Sequence, residues 1–161
     1  MNEYQKFIHK SRYARYLDSE GRRETWEETV ARYCSFWDST VSSKGRELPL
    51  PDEIKQAILD MEIMPSMRAL MTAGPALQRD NMAGYNCAYI SIDNVRAFDE
   101  NLYVLLCGTG VGFSVERQHI HKLPDVADEF HKTDTTIIVR DSKIGWASAL
   151  RELVSLLYQG V

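Results

Sequence analysis

The stretch from Cys87 to Glu116 constrains the fold more than any other part of the chain. Residues 87–92 mix β-branched and aromatic residues in alternation, which predicts a strand. The apolar spacing over residues 98–107 then predicts a helix, and a glycine-rich turn leads from Gly110 into a second strand. A strand, a helix and another strand in this order are typical of α/β folds.

Three helices are predicted before this stretch, over residues 25–43, 51–62 and 67–73. Thr25 and Glu28 form a capping-box pattern at the start of the first helix. Its apolar face repeats at helical spacing: Trp26, Val30, Cys34, Trp37 and Val41. This helix is expected to end over Ser42, Ser43, Lys44 and Gly45. Cys34 on the apolar face is expected to be a buried small hydrophobe, and Ser66 to cap the third helix.

The remaining segments complete an expected order of helices followed by strand–helix–strand and strand–helix. Residues 76–86 are rich in Asn, Asp and Gly and are expected to form a loop, whereas Thr135–Val139 is a further strand candidate. Asp141 or Ser142 is expected to cap a final helix. We therefore expect a helical region over residues 1–63 and the start of an α/β domain over residues 64–161.

Composition narrows the class of protein. The chain has 161 residues, is 44% apolar and 26% charged, and carries a net charge of −4, which argues against a dedicated nucleic-acid or membrane-surface protein. No apolar run approaches the ~20 residues needed to span a bilayer, and no signal peptide is evident, so a cytoplasmic location is expected. The basic residues within the first 23 positions favour a solvated helix face over a phosphate-binding face. The four histidines are expected at the surface or in loops.

The glycines from Gly108 to Gly112 are the first candidate ligand site, because glycine lets a backbone approach a ligand closely. A dinucleotide or P-loop phosphate site runs from strand through glycine turn to helix, however, and here the helix comes first. No Gly-Lys-Ser/Thr is present either. Both phosphate motifs are therefore rejected, and the local sequence favours a tight connection over a ligand cradle without deciding between them.

Cys87 is the second candidate, since it follows Asn86 and a polar loop at the start of the predicted strand. A cysteine in such a place is either accessible and redox-active or an inert, half-buried thiol, and the local sequence favours the inert thiol. Ser66 offers a hydroxyl and free backbone N–H groups to an anion, but the local sequence alone favours an ordinary helix cap. The three cysteines do not form a Cys-x-x-Cys pair, so a structural zinc site is not expected.

Taken together, a series of segments in this order resembles one family of enzymes. The segments are Ser11–Leu17, Glu24–Val30, Pro65–Arg68 with Thr72–Gly74, Tyr85–Cys87, Leu105–Val115 and Asp141–Trp146. They are similar to the class II, adenosylcobalamin-dependent ribonucleotide reductases, and most of all to the monomeric ribonucleoside-triphosphate reductases. The most specific part of the resemblance is the Asn86-Cys87 pair followed, about twenty residues later, by Gly108-Thr-Gly-Val-Gly-Phe-Ser-Val115.

The resemblance implies a fold and a set of roles. The fold would be a ten-stranded α/β barrel preceded by helices, of which this chain contains the first strands and helices. Cys87 matches the first of two redox cysteines, which together supply two electrons that remove the ribose 2′-hydroxyl as water after a cobalamin-derived thiyl radical has activated the sugar. Asn86 and Gly110 match positions near the substrate, and Ser66 is expected near its phosphates. Deoxynucleotide effectors and a thioredoxin-type reductant are the other implied partners.

Several features of the family are missing from this sequence. The radical-bearing cysteine, the second redox cysteine and the cobalamin-binding region have no counterpart, and residues 117–134 are shorter than the corresponding stretch of the monomeric enzymes. We therefore expect a portion of a reductase that is inactive alone, with adenosylcobalamin bound by the C-terminal part that completes it. The alternatives are a non-catalytic nucleotide-binding or regulatory module and a structural partner in a larger assembly.

Overall fold

A computed structural model describes residues 1–43 and 49–161. The chain forms two compact units, Met1–Gly84 and Tyr85–Val161. Both hydrophobic clusters of buried side chains that the structure describes lie in the first unit. The boundary expected between residues 63 and 64 concerns the start of a barrel and stays a prediction.

The first unit is almost entirely helical. Its regular elements are helix α1 (Glu3–Ile8), a π-helix (His9–Tyr13), strands β1 (Tyr16–Leu17) and β2 (Arg22–Arg23), helices α2 (Trp26–Ser43), α3 (Asp52–Leu59), α4 (Met67–Thr72) and α5 (Pro75–Arg79), and a 3₁₀-helix (Asn81–Gly84). Strands β1 and β2 form a small antiparallel hairpin. A helix face was expected among the first 23 residues, without bounds, but the hairpin was not predicted, because strands this short carry too few residues to show a period.

Helix α2 organises the core of this unit. The predicted capping box is confirmed, since the Thr25 N–H donates to Glu28 Oε2 at 2.7 Å and the Glu28 N–H donates to Thr25 Oγ1 at 3.3 Å. From the apolar face of α2, Trp26, Val30 and Cys34 pack in one buried cluster with Ile58 of α3 and Leu70 of α4. The expected burial of Cys34 is therefore confirmed. Helix α2 ends at Ser43, and the predicted stop residues Lys44 and Gly45 lie outside the described residues.

The loop expected over residues 76–86 is wrong for most of its length. Gly74 has a φ of 105°, Pro75 opens helix α5, and the 3₁₀-helix follows. Proline suits the first turn of a helix because its missing N–H would be unpaired there anyway. Leu77 is buried with Phe36 and Ala73, so packing stabilises a helix that the polar composition of the segment concealed. The second predicted helix is also shorter than expected, ending at Leu59.

The histidine prediction fails at His9. This side chain is 5% exposed, its Nε2 lies 2.9 Å from Thr29 Oγ1, and its ring packs edge-on against Trp26. Because burial disfavours the charged imidazolium, the pKa of His9 is lowered. Local spacing does not reveal this burial, because the residues that cover His9 belong to α2.

The second unit contains a strand–helix–strand arrangement followed by helices. Its elements are β3 (Cys87–Ser91), α6 (Arg96–Leu106), β4 (Gly110–Ser114), α7 (Arg117–Ile120) and α8 (Lys143–Gln159). Strands β3 and β4 pair in parallel, with α6 as the connection between them. A parallel pair joined by a helix is the basic unit of α/β folds, so the coarse fold class is confirmed.

The strand expected at Thr135–Val139 is wrong, because the structure places no strand there. A β-branched run becomes a strand only when a neighbouring strand pairs with it. Neither of the two sheets in the described part of the chain extends to this segment, and Ile138 is 84% exposed. Among the described helices, none is both long enough and apolar enough to cross a membrane.

The final helix begins as the sequence predicts. The Ser142 side chain accepts a hydrogen bond from the Gly145 N–H at 3.0 Å, which confirms serine as the cap. Gly145 is buried, and a side chain at this position would overlap the carbonyl oxygen of Arg140. Helix α8 packs against α6, and Arg151 donates two hydrogen bonds to the buried Asp99 across that contact. The close approach of Gly145 to the Arg140 backbone and the ion pair between Arg151 and Asp99 together fix the position of α8.

Candidate active site

Cys87 is the first residue of β3, and its side chain is exposed. In the parallel register its partner is Gly110, the first residue of β4. The Gly110 N–H donates to the Asn86 carbonyl oxygen at 2.9 Å, so the two strand starts are held side by side. The structure therefore brings three of the four predicted site residues together, namely Asn86, Cys87 and Gly110.

The side chains of the two strands alternate between two faces of the sheet. Cys87 and Tyr89 are exposed on one face, where their register partners are Gly110 and Gly112. Phe113 points to the opposite face, where it lines a cavity of about 360 Å³ with Phe98 of α6. Helix α6 thus lies on the Phe113 side, and the face that carries Cys87 is open.

The glycine at position 110 is not required by the protein's own packing. Its φ is not positive, and a Cβ there would approach only the Asn86 carbonyl oxygen, at an ordinary contact distance of 3.6 Å. An alanine would therefore fit. What the glycine does provide is bare backbone beside the Cys87 thiol, where a ligand can approach closely.

The turn before β4 is anchored by Thr109, a residue that the sequence reasoning did not single out. Thr109 is 1% exposed, and its hydroxyl donates to the Tyr85 carbonyl oxygen at 3.0 Å. Gly108 precedes it with a φ of 84°, a value that favours glycine. This turn ties the end of α6 to the backbone just before Cys87. The sequence feature that could have identified Thr109 is its place between two glycines, Gly108 and Gly110.

Ser66 lies in the first unit, whereas the other three candidates lie in the second. It is exposed and caps α4, with its hydroxyl oxygen accepting from the Ala69 N–H at 3.4 Å. The predicted cap is confirmed. Its expected place near substrate phosphates stays a prediction, because the structure shows only the cap.

Helix α4 is held at its other end by two arginines. Arg32 donates to the Leu70 and Ala73 carbonyl oxygens at 3.0 and 2.8 Å, and Arg15 donates to those of Met71 and Thr72 at 3.2 and 3.0 Å. Orphan carbonyls at a helix C-terminus need such donors. Arg15 therefore belongs to the interior of the unit, and the solvated face expected for the basic N-terminal residues does not include it.

Glu24 balances the charge of these arginines. Its side chain is 5% exposed and accepts from Arg32 at 2.7 and 2.9 Å, from the Arg15 N–H at 3.2 Å and from Thr29 Oγ1 at 3.0 Å. Burial opposes ionisation, but the hydrogen bonds from Arg32, Arg15 and Thr29 together outweigh it, so the pKa of Glu24 is lowered. Glu24 and Arg15 belong to the two N-terminal segments that carry the family resemblance.

The other two cysteines have different surroundings from Cys87. Cys34 is buried, and burial raises the pKa of its thiol. Cys107 is half-buried at the end of α6, and its sulfur accepts a hydrogen bond from Lys143 Nζ at 3.2 Å. All three are free thiols. Cys87 is the exposed one among them.

The His, Cys, Asp and Glu side chains in the described part of the chain do not cluster into a metal site. Within residues 1–43 and 49–161, no group of three or more His, Cys, Asp or Glu side chains is arranged to hold a metal ion. His9, which is buried against Thr29 and Trp26, lies in the first unit, and His119, His121 and His131 lie in the second.

The arrangement defines an α/β protein with an exposed thiol at the start of a parallel strand, next to a glycine backbone. Its fold is similar to that of part of a solved B12-dependent (class II) ribonucleotide reductase, with a TM-score of 0.72 and 22% identity over 94% of this chain and 29% of that one. No protein-family model matches the chain.

Two curated relatives are similar in sequence. They are the adenosylcobalamin-dependent ribonucleoside-triphosphate reductases of Lactobacillus helveticus, 25% identical over 174 residues, and Lactobacillus gasseri, 29% identical over 177 residues. Each comparison covers 89% of this chain and 23% of the relative. The resemblance drawn from the sequence motifs is confirmed, and the chain spans about a quarter of the length of these relatives.

Proposed function

We propose that this chain is part of a class II ribonucleotide reductase, in which Cys87 is one of two redox cysteines. The observation that carries the proposal is the exposed Cys87 thiol beside Gly110 on the open face of the β3–β4 sheet. The names and fold of the similar proteins support the reaction class. The β3–α6–β4 unit is then the beginning of a ten-stranded barrel that further polypeptide completes, with the open face turned to the barrel interior.

The reaction assigns a defined task to Cys87. Its thiol and a second thiol from outside residues 1–161 together give up two electrons and two protons. The C2′–O bond of the ribonucleotide breaks, the oxygen leaves as water, hydrogen takes its place on the carbon, and an S–S bond forms between the two cysteines. A thioredoxin-type dithiol then restores both thiols by exchange. In this proposal adenosylcobalamin, bound by the completing polypeptide, supplies the radical that activates the sugar.

The neighbours of Cys87 receive supporting roles in the proposal. Gly110 leaves room for the sugar to approach the backbone of β4, and the Asn86 side chain is exposed next to the same place. Ser66 is proposed to bind the substrate phosphates. The substrate is a ribonucleoside triphosphate, by analogy with the named relatives, and a deoxynucleotide effector is the further ligand.

The test is to combine the chain with the polypeptide that completes the barrel and to measure deoxynucleotide formation. Turnover is expected to depend on adenosylcobalamin and to be abolished in Cys87→Ser when a dithiol protein is the reductant. Cys107→Ser is the matched control, because this half-buried cysteine lies in the same unit, and it is expected to retain turnover. Full turnover in Cys87→Ser would contradict the assigned role.

Gly110→Ala separates ligand binding from folding. Because a Cβ fits at this position, the variant is expected to unfold at the same denaturant concentration as the wild type. The same methyl group occupies the space proposed for the sugar, so the KM for the ribonucleotide is expected to rise at least about tenfold. An unchanged KM would remove Gly110 from the substrate site.

A further inference from the structure

An exposed tyrosine stands next to Cys87 on the open face of the β3–β4 sheet. Tyr89 follows Cys87 by two residues on β3, so the two side chains share that face and stand about 6.7 Å apart along the strand. The Tyr89 side chain is 66% exposed. Exposed aromatic residues of this kind are enriched where proteins contact ligands and partners, because a rigid ring gives much contact area for little loss of entropy.

One edge of the Tyr89 ring lies beside Gly112 of β4. Gly112 is the register partner of Tyr89, and a Cβ built there would be 4.0 Å from Tyr89 Cδ2. The neighbouring Gly110 is not covered in this way, since the Asn86 carbonyl oxygen is the one described atom within 4 Å of a Cβ there, leaving aside its chain neighbours. The open space over Gly110 is therefore bordered by Cys87 across the strand pair and by Tyr89 further along it.

Cys87 and Tyr89 are successive side chains on one face of β3, with the spacing of about 6.7 Å that any such pair has. A ligand that reaches the Cys87 sulfur over Gly110 therefore also comes within reach of the Tyr89 ring. We propose, on the basis of the proposed function, that Tyr89 contacts the substrate. Its ring packs against the ribose held over Gly110 and keeps the 2′-carbon beside the Cys87 sulfur. Tyr89 thus sets the depth to which the sugar enters.

The proposal is tested on the chain assembled with the polypeptide that completes the barrel. Tyr89→Ala is expected to raise the KM for a ribonucleoside triphosphate about tenfold, whereas Tyr89→Phe keeps the ring and is expected to stay within about twofold of wild type. Tyr4→Ala is the matched control, because Tyr4 is 72% exposed on α1 in the other unit, and it is expected to leave KM unchanged.

A second readout does not need turnover. Iodoacetamide alkylation of Cys87, followed by mass spectrometry of its peptide, is measured with increasing ribonucleoside triphosphate. Without nucleotide, Tyr89→Ala is expected to alkylate within about twofold of the wild-type rate, which checks that β3 is intact. About tenfold more nucleotide is expected to be needed for protection in Tyr89→Ala than in wild type or Tyr89→Phe.

The outcomes separate this inference from the function on which it rests. If nucleotide neither protects Cys87 nor is reduced by the wild-type assembly, the proposed function fails and the role of Tyr89 fails with it. If the wild type is protected and Tyr89→Ala needs the same nucleotide concentration, the ribose contact is refuted while the proposed function stands. A third outcome also overturns the proposal. It would show that the Tyr89 ring packs against polypeptide and not against the ribose. In that outcome Tyr89→Ala aggregates or fails to assemble and its Cys87 is alkylated faster, while Tyr89→Phe needs the same nucleotide concentration as the wild type.

Discussion

Replacing Glu24 with glutamine removes the charge that balances Arg32 and Arg15 in the first unit. Glu24 and Arg32 have side chains that are 5% and 16% exposed, so water cannot replace the lost partner. Breaking a buried ion pair while one charge remains costs about 3–5 kcal/mol. Glutamine keeps one oxygen as an acceptor for Arg32, so we expect Glu24→Gln to lower the free energy of unfolding by about 3 kcal/mol, at the lower end of that range.

Glu28→Gln provides the matched control. Glu28 is four residues further along, also accepts two hydrogen bonds from an arginine, Arg22, and also lies at the start of α2, but its side chain is 38% exposed. Glu28→Gln is expected to lower the free energy of unfolding much less than Glu24→Gln does, because water solvates both Glu28 and Arg22. The assay is urea unfolding followed by tryptophan fluorescence in a Trp146→Phe background, which leaves Trp26 and Trp37 in the first unit. Equal losses in the two variants would refute the reasoning that burial sets the magnitude.

Three further measurements address other parts of the structure. Gly145→Ala forces a methyl group against the Arg140 carbonyl oxygen and is expected to destabilise the second unit by about 1–3 kcal/mol. The measurement is hydrogen exchange of the α8 amides, and Ser148→Ala, on the exposed side of α8, is expected to leave their exchange unchanged. Because the pKa of His9 is lowered in the folded state, its contribution to stability is complete above the unfolded value of about 6.5 and is lost as the pH falls below it. Between pH 7 and 5, the free energy of unfolding measured with urea should therefore decline less in His9→Gln than in the wild type. Equal declines in the two proteins would contradict the role of His9. Glu24 also has a lowered pKa, but its contribution to stability is lost only below about pH 4.5. Iodoacetamide should alkylate Cys87 at least about tenfold faster than the buried Cys34 in the native chain, and equal rates would show that Cys87 is not accessible.

The family resemblance and the local elements of the site were accessible from the sequence. The capping box at Thr25 and Glu28, the cap at Ser142 and the strand beginning at Cys87 depend on residues within a few positions of one another. Interactions of this kind depend only on residues close together in the sequence, so pattern and spacing predict them. The same holds for the order of strand, helix and glycine turn that indicated an α/β fold.

Long-range packing overturned the predictions that failed. Residues 75–84 form helical turns because Leu77 is buried with Phe36, which lies 41 positions earlier, and Thr135–Val139 is not a strand because no described neighbour pairs with it. His9 is buried because Thr29 and Trp26 of α2 meet it. For Leu77 and His9 the deciding contact comes from a distant part of the chain, and for Thr135–Val139 the distant partner strand that pairing needs is not found among the described residues.

The sequence by itself determined where α2, α4 and α8 begin, that Trp26, Val30 and Cys34 lie on the buried face of α2, and which family the motifs resemble, because each of these depends on neighbours along the chain. Only the tertiary structure decided that Cys87 stands beside Gly110, that one edge of the Tyr89 ring lies beside Gly112, and that Glu24 and Arg32 join the start of α2 to the end of α4. Strand register and buried ion pairs are set when distant segments pack together, and a one-residue shift in register would turn Cys87 to the other face of the sheet.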